Sequence, residues 1–165
     1  MAGIVRFIAD LHLGHQNMAT RRGFDSVEAH DEHIIQTWNS IVDKRDVTYI
    51  LGDITMEKKT PYHLLDRLNG FKHVVLGNHD RKQDTPELLK YVDSVAGMVQ
   101  YKGYFLTHCP IHPTELTYRG VAGNIHGHVH ENIIDEPGYI CVSCEVVNYQ
   151  PKTLNELCHE YNRSI

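Results

Sequence analysis

Three short runs of β-branched and aliphatic residues, "IVRFIA", "VTYIL" and "HVVL", each end abruptly on groups that are costly to bury. Asp10 and His12 follow the first, Asp53 the second, and the block Asn78, His79, Asp80 the third. Continuous apolar runs of this kind are strands covered on both faces, an arrangement typical of parallel sheets flanked by helices. Between the first two runs, Ile34, Ile35, Trp38, Ile41 and Val42 recur at helical spacing behind Ser26 as N-cap. Between the second and third, Thr60, Pro61 and Gly70 read as cap, first helical position and terminator of another helix. This alternation predicts parallel β-α-β units, whose ligand crevice lies beyond the carboxyl ends of the strands. Every polar block sits at such an end.

The second half changes character. A short helix is expected over "PELLKYV", then a hairpin that turns at Lys102 and Gly103 and ends on His108. The stretch "HPTELTYRGVAG" reads as a surface loop, "NIHGHVH" follows Gly123, and "YICVSCEVVNY" reads as a further β-run. A capping box of Thr153 with Glu156 opens a closing helix. This half is expected to be mainly antiparallel. No repeat or linker interrupts the chain, so residues 1–165 are expected to form one domain, long enough to bury a core without staples.

A formal charge of −5 gives no basic footprint, so extended nucleic-acid binding and attraction to anionic membranes are not expected. No apolar run approaches the roughly 20 residues that span a bilayer, and Asp10 arrives too early for a secretory signal. A cytoplasmic location is expected. Cys109, Cys141, Cys144 and Cys158 are scattered, as thiols of a reducing compartment are, and "CVSC" lacks the second pair that a structural zinc site needs.

Collected, the strand-end groups are Asp10, His12, Asp53, Asn78, His79, Asp80, His108, His128 and His130. Three carboxylates, an amide oxygen and five imidazoles exceed what one ion needs, and two ions with a shared ligand would use most of them. This nitrogen and oxygen set suits divalent Mn first, with Fe, Zn or Ni as alternatives. Asp10 with His12, and His128 with His130, stand two apart in extended segments and can face one point. Gly52, Gly77 and Gly127 directly precede Asp53, Asn78 and His128, where ligands crowd and the backbone must approach closely.

"DLH", "GD", "GNHD", the His of "THCP" and "GHVH" resemble, in order, the motif set of the calcineurin-like metallophosphoesterase superfamily. The likeness runs from Asp10 to His130, and "DLHLGHQN", "IHGHVH" and "VVNYQP" are similar to a small, uncapped bacterial or phage-type subgroup. The resemblance implies a four-layer α/β/β/α sandwich with two mixed β-sheets. It implies that Asp10, His12 and His130 hold one metal, that Asn78, His108 and His128 hold a second, and that Asp53 bridges them. It further implies hydrolysis of phosphodiesters or phosphomonoesters by a hydroxide between the metals, with His79 protonating the leaving oxygen and Asp80 orienting its imidazole.

Substrates are expected to be phosphorylated small molecules or nucleotides, because a chain of this length has little room for a cap over the site. His15, Arg22 and His126 are candidate substrate contacts: His15 closely follows "DLH", a guanidinium matches two phosphate oxygens, and His126 alternates with His128 and His130. An inactive binding scaffold of the same fold is the alternative reading, and a metal-storage or metal-sensing protein a third. The scaffold has no need of a complete ligand set with His79. Storage explains neither Asn78 nor the order of the motifs.

Overall fold

The computed structural model describes residues 3–56 and 61–161. Numbered in chain order, β1 (Val5–Ile8), β2 (Val47–Leu51), β3 (Phe71–Val75) and β4 (Ser94–Ala96) run parallel. Strand β9 (Lys152–Thr153) joins the far edge antiparallel, giving the order β4-β3-β2-β1-β9. The second sheet has the order β5-β6-β7-β8, from β5 (Val99–Tyr101), β6 (Tyr104–Leu106), β7 (Gly123–His126) and β8 (Tyr139–Cys141). Both sheets are mixed, as expected.

The sheets share one apolar cluster. Phe7 stacks on Tyr49 within the first sheet and meets Tyr101 of the second edge-on, so this face of β1 and β2 looks inward. Alternation puts Ile8, Ile50 and Val74 on the opposite face, the side of the helices. Helix α1 (Gln16–Arg21) packs against α2 (Val27–Asn39), which starts where Ser26 Oγ accepts from Ala29 N at 3.1 Å. Ile34, Ile35 and Trp38 of α2 are buried, and Trp38 Nε1 donates to Asn69 O at 3.0 Å, which ties the helix to the entry of β3. Burying each such side chain is worth about 1.5–3 kcal/mol. The outer face of the second sheet is covered by the loop after β6, where Asn124 Oδ1 accepts from Ile111 N and Tyr139 donates to Ile111 O.

Several local expectations are met. The hairpin turns at Lys102 and Gly103, both with positive φ. Thr153 and Glu156 form the capping box of α4 (Leu154–Glu160), and a helix, α3, follows β3, though it covers only Thr85–Leu88 of the stretch expected and gives way to turns. Others are corrected. Residues Tyr62–Arg67 form a 3₁₀ turn, with Pro61 in the cap position and no side-chain cap bond; Thr60 lies outside the described residues. Only β5 and β6 pair antiparallel in the second sheet, since β6, β7 and β8 run parallel. The β-run from Tyr139 ends early: after a parallel bridge between Ala9 and Ser143 the chain turns back, with Asn148 and Tyr149 at positive φ. That bridge joins the ends of the two sheets. Helix α1 was not anticipated, because its cap is a histidine: His15 Nδ1 accepts from Met18 N at 3.1 Å.

At the amino ends of the parallel strands, Asp46 is buried and accepts from Ile4 N at 2.8 Å, Asp43 N at 3.1 Å and Arg6 Nε at 3.5 Å. Burial alone would raise its pKa, but these donors hold it below the usual 3.8. A depressed pKa stabilises the fold above the unfolded value and loses that contribution as the pH falls through the folded value. Asp46→Ala is therefore expected to lower stability by about 1–3 kcal/mol in urea unfolding at neutral pH. The gap to wild type should shrink below about pH 4 as the wild-type carboxylate is protonated.

Candidate metal centre

The carboxyl ends of β1, β2 and β3 converge with the segments after β6 and β7. Backbone bonds zip the first two loops together: Asp10 N to Gly52 O at 3.0 Å, His12 N to Asp53 O at 3.0 Å, and Leu13 N to Ile54 O at 2.7 Å. Asp10, His12, Asp53, His128 and His130 all have φ between 50° and 73°. This left-handed region costs a residue with a side chain roughly 1–2 kcal/mol and is rare outside glycine, though Asp and His tolerate it better than most. Five such residues at one point mark a backbone bent to aim side chains.

Glycine makes the approach possible. A Cβ on Gly77 would stand 2.2 Å from Asp53 Oδ1, and one on Gly127 would stand 2.6 Å from Asp10 Oδ2. The carboxylates occupy the space that any other residue would fill.

Among the described residues three groups of donors result, the atoms of each lying within 4.8 Å of one another: Asp10, His12, His130; Asp10, Asp53, His108; and His108, Cys109, His128. Asp53 Oδ2 lies 3.3 Å from His108 Nε2, 3.9 Å from His79 Nε2 and 4.0 Å from His12 Nε2. His108 Nδ1 donates to Leu51 O at 2.8 Å, which leaves Nε2 facing Asp53 and Asn78 Oδ1, the latter at 2.9 Å. Asn78 thus presents its amide oxygen to the cluster. The exposed ring of His128 lies 5.1 Å from that of His108, and the ring of His130 stacks on His12 at 5.4 Å.

The electrostatics suit a cation. Asp10 is fully buried; Ser143 Oγ donates to its Oδ2 at 2.6 Å and His128 N at 3.0 Å, while Oδ1 has no hydrogen-bond partner among the described residues. Neither nitrogen of His12 has a hydrogen-bond partner among the described residues. Burial pushes His12 down to about 3, so its ring is neutral with a lone pair to offer, and burial also pushes Asp10 up despite its donors. Asp53 is held below the usual value: burial opposes its charge, but His108, the His79 amide and His12 outweigh burial. Unpartnered buried groups cost about 1–3 kcal/mol each, so lone pairs facing one another at strained positions fit divalent cations as ligands.

Not every expected role survives. Among the described residues no hydrogen bond joins Asp80 to the His79 imidazole. Its carboxylate accepts from Asp53 N at 2.8 Å, Ile54 N at 3.0 Å and Gly77 N at 2.8 Å, so it clamps two strand ends together. Arg22 is no phosphate clamp, because its buried guanidinium is spent on Glu145 Oε1 at 2.7 Å, Asp10 O at 2.7 Å, Leu11 O at 3.1 Å and His30 Nε2 at 2.8 Å. His126 is fully buried in β7, bonded to the carbonyl of Gly127 and set against Tyr139, so no substrate reaches it. His15 is half-buried, its ring 6.1 Å from that of His12, and it serves as the cap of α1.

Sequence reading missed Ser143 and Glu145, and it placed Cys109 only among the scattered thiols. Glu145 carried a signal as the one carboxylate in the apolar stretch "YICVSCEVVNY". Cys141 and Cys144 are buried and join none of the donor groups found among the described residues. A cavity of about 640 Å³ between Ile4, Asp46 and Asn69 lies at the amino ends of the strands, away from every one of these groups.

No protein-family model matches the chain. The uncharacterized protein MJ1445 of Methanocaldococcus jannaschii is 33% identical over 92% of this chain and 87% of its own length. The crystal structure of the protein of unknown function AQ665 from Aquifex aeolicus superposes with a TM-score of 0.72 at 23% identity, over 96% of this chain and 99% of that one, and so shares the fold. A conserved uncharacterized protein of Streptococcus pneumoniae TIGR4, described as a predicted phosphoesterase, is similar at 15% identity over 87% of this chain and 72% of that one. Its TM-score of 0.40 adds nothing to the assignment of the fold. With 33% identity over most of both chains, the chain belongs to one family with MJ1445, and the ordered strand-end motifs that resemble those of the calcineurin-like metallophosphoesterase superfamily are gathered at one centre.

Proposed function

We propose that the chain is a binuclear-metal-dependent phosphoesterase acting on phosphodiester or phosphomonoester bonds of nucleotide-type or similarly exposed substrates. The observation that carries this reading is the overlap of the donor groups: the first shares Asp10 with the second, and the second shares His108 with the third. A string of donors this long suits two ions better than one. Asp10, His12 and His130 would hold the first ion and Asn78, His108 and His128 the second, with Asp53 between them. When bound, the ions supply a lowered pKa for water and positive charge opposite the phosphoryl group. Nitrogen and oxygen donors favour Mn, while the Cys109 thiol beside His108 and His128 adds a soft donor that favours Zn or Fe.

His79 is the proton donor in this reading. Its backbone N–H is fixed on Asp53 Oδ1 at 3.0 Å, while its side chain is 39% exposed and reaches the mouth of the centre. A ring so placed meets a leaving oxygen without leaving its anchor. Asn78, His79, Cys109 and His128 all lie exposed at the rim, which supports a phosphate that approaches from solvent. His15 is the remaining candidate contact to it. The acidic chain disfavours long nucleic-acid tracts.

A screen of metal-reconstituted protein over phosphomonoesters, linear and cyclic diesters and pyrophosphates tests the activity. Bound metal with no hydrolysis of any class would defeat the reading. His79→Asn is expected to lower turnover of an alkyl phosphate ester by about 10²–10⁴, with metal content unchanged by elemental analysis; wild-type turnover would remove His79 from the mechanism. Asp80→Ala should behave differently. By freeing the amides of Asp53, Ile54 and Gly77 it is expected to lower metal content after dialysis together with turnover, and intact metal content would show that the clamp is dispensable.

A further inference from the structure

The proposed ligands leave one buried carboxylate beside the centre without a role. Glu145, its side chain 11% exposed, has Oε1 at 3.1 Å from His130 Nδ1 and accepts from Arg22 Nε at 2.7 Å, while its Oε2 is buried without a hydrogen-bond partner among the described residues. Arg22 in turn holds the carbonyls of Asp10 and Leu11 and the ring of His30. His30 Nδ1 faces Asp31 Oδ1 at 2.9 Å, and both oxygens of Asp31 accept from Gly14 N. A polar chain therefore runs from His130 to the very loop that carries Asp10 and His12.

Burying so many charged groups costs several kcal/mol per ion before pairing, and an apolar cluster of equal volume would serve folding as well. The geometry offers another reason. A histidine that binds a cation through one nitrogen needs an acceptor for the N–H of the other, and that acceptor sets both tautomer and ring orientation. Glu145 takes Nδ1–H, which leaves the lone pair of His130 on Nε2, on a ring stacked against His12.

We propose that Glu145 is a positioning residue for the Asp10, His12, His130 subsite: it fixes the tautomer and direction of His130, and Arg22 locks that geometry to the backbone of Asp10 and Leu11. The proposal rests on the two-metal reading above. It concerns one subsite only, because Asn78, His108 and His128 have no bond to Glu145 or Arg22 among the described residues.

Two measurements on the full chain test it. Titration of the apo-protein with Mn(II) alone is expected to show Glu145→Ala weakened roughly 10–100-fold at one site, with the other site unchanged. Nitrogen-15 spectra of the imidazoles, taken without metal at mildly alkaline pH, are expected to show His130 protonated at Nδ1 in wild type and shifted towards Nε2–H in Glu145→Ala. Should the alanine variant not fold, Glu145→Gln, of nearly equal volume, carries the same titration. An unchanged tautomer, or equal loss at both sites with a lowered melting temperature, would overturn the proposal and leave the two-metal reading standing. A wild type that binds no divalent ion would defeat both.

Discussion

Two carboxylates, Asp10 and Asp53, are buried at neighbouring strand ends with donor atoms within 4.8 Å of the same His108 ring, and the surrounding structure is arranged around holding them there. Like charges at about that separation repel by roughly 3–4 kcal/mol at the effective dielectric of a protein interior. The chain answers with local donors. Ser143 Oγ and the His128 amide serve one oxygen of Asp10, and the His79 amide serves one oxygen of Asp53. The other oxygens are left facing imidazoles. That division, one oxygen tethered and one free, is what ligand carboxylates require: rigid at the root, available at the tip.

The same requirement explains the backbone. Left-handed conformations at Asp10, His12, Asp53, His128 and His130 are tolerable only where neighbouring bonds over-determine them. The zipper between the first two loops, the Asp80 clamp on Asp53, Ile54 and Gly77, and the bridge from Ala9 to Ser143 supply that constraint. Ser143, carried in by the bridge, is also the residue that bonds Asp10. The junction between the two sheets and the support of the centre are thus one piece of structure. Parallel pairing of β6, β7 and β8 contributes as well, because it brings their carboxyl ends, and with them His108 and His128, to the same edge as β1 and β2.

Much of this was legible in the chain. Apolar runs that stop on Asp, His and Asn announce both a buried strand and a site at its end, and glycines before Asp53, Asn78 and His128 announce close approach. The residues that hold the ligands were harder to see. The resemblance pairs Asp80 with the His79 imidazole, yet a carboxylate three residues past Gly77 also reaches the backbone amides of a neighbouring strand end, and only the fold decides between them. Arg22 drew attention as an anion binder, but a guanidinium with two carbonyls and a carboxylate in reach is consumed inside the protein. Parallel order in the second sheet escaped because periodicity reports burial and not strand direction. Helix α1 escaped because histidine is an uncommon cap.

The central proposal is that the ligand set would hold two divalent ions, with Asp53 shared between them. Counting ions per chain by elemental analysis, in protein stripped, reconstituted with Mn(II) and desalted, tests it most directly. The account predicts two ions per chain in wild type and fewer in Asp53→Ala. A single ion per chain, or a count that Asp53→Ala leaves unchanged, would contradict it.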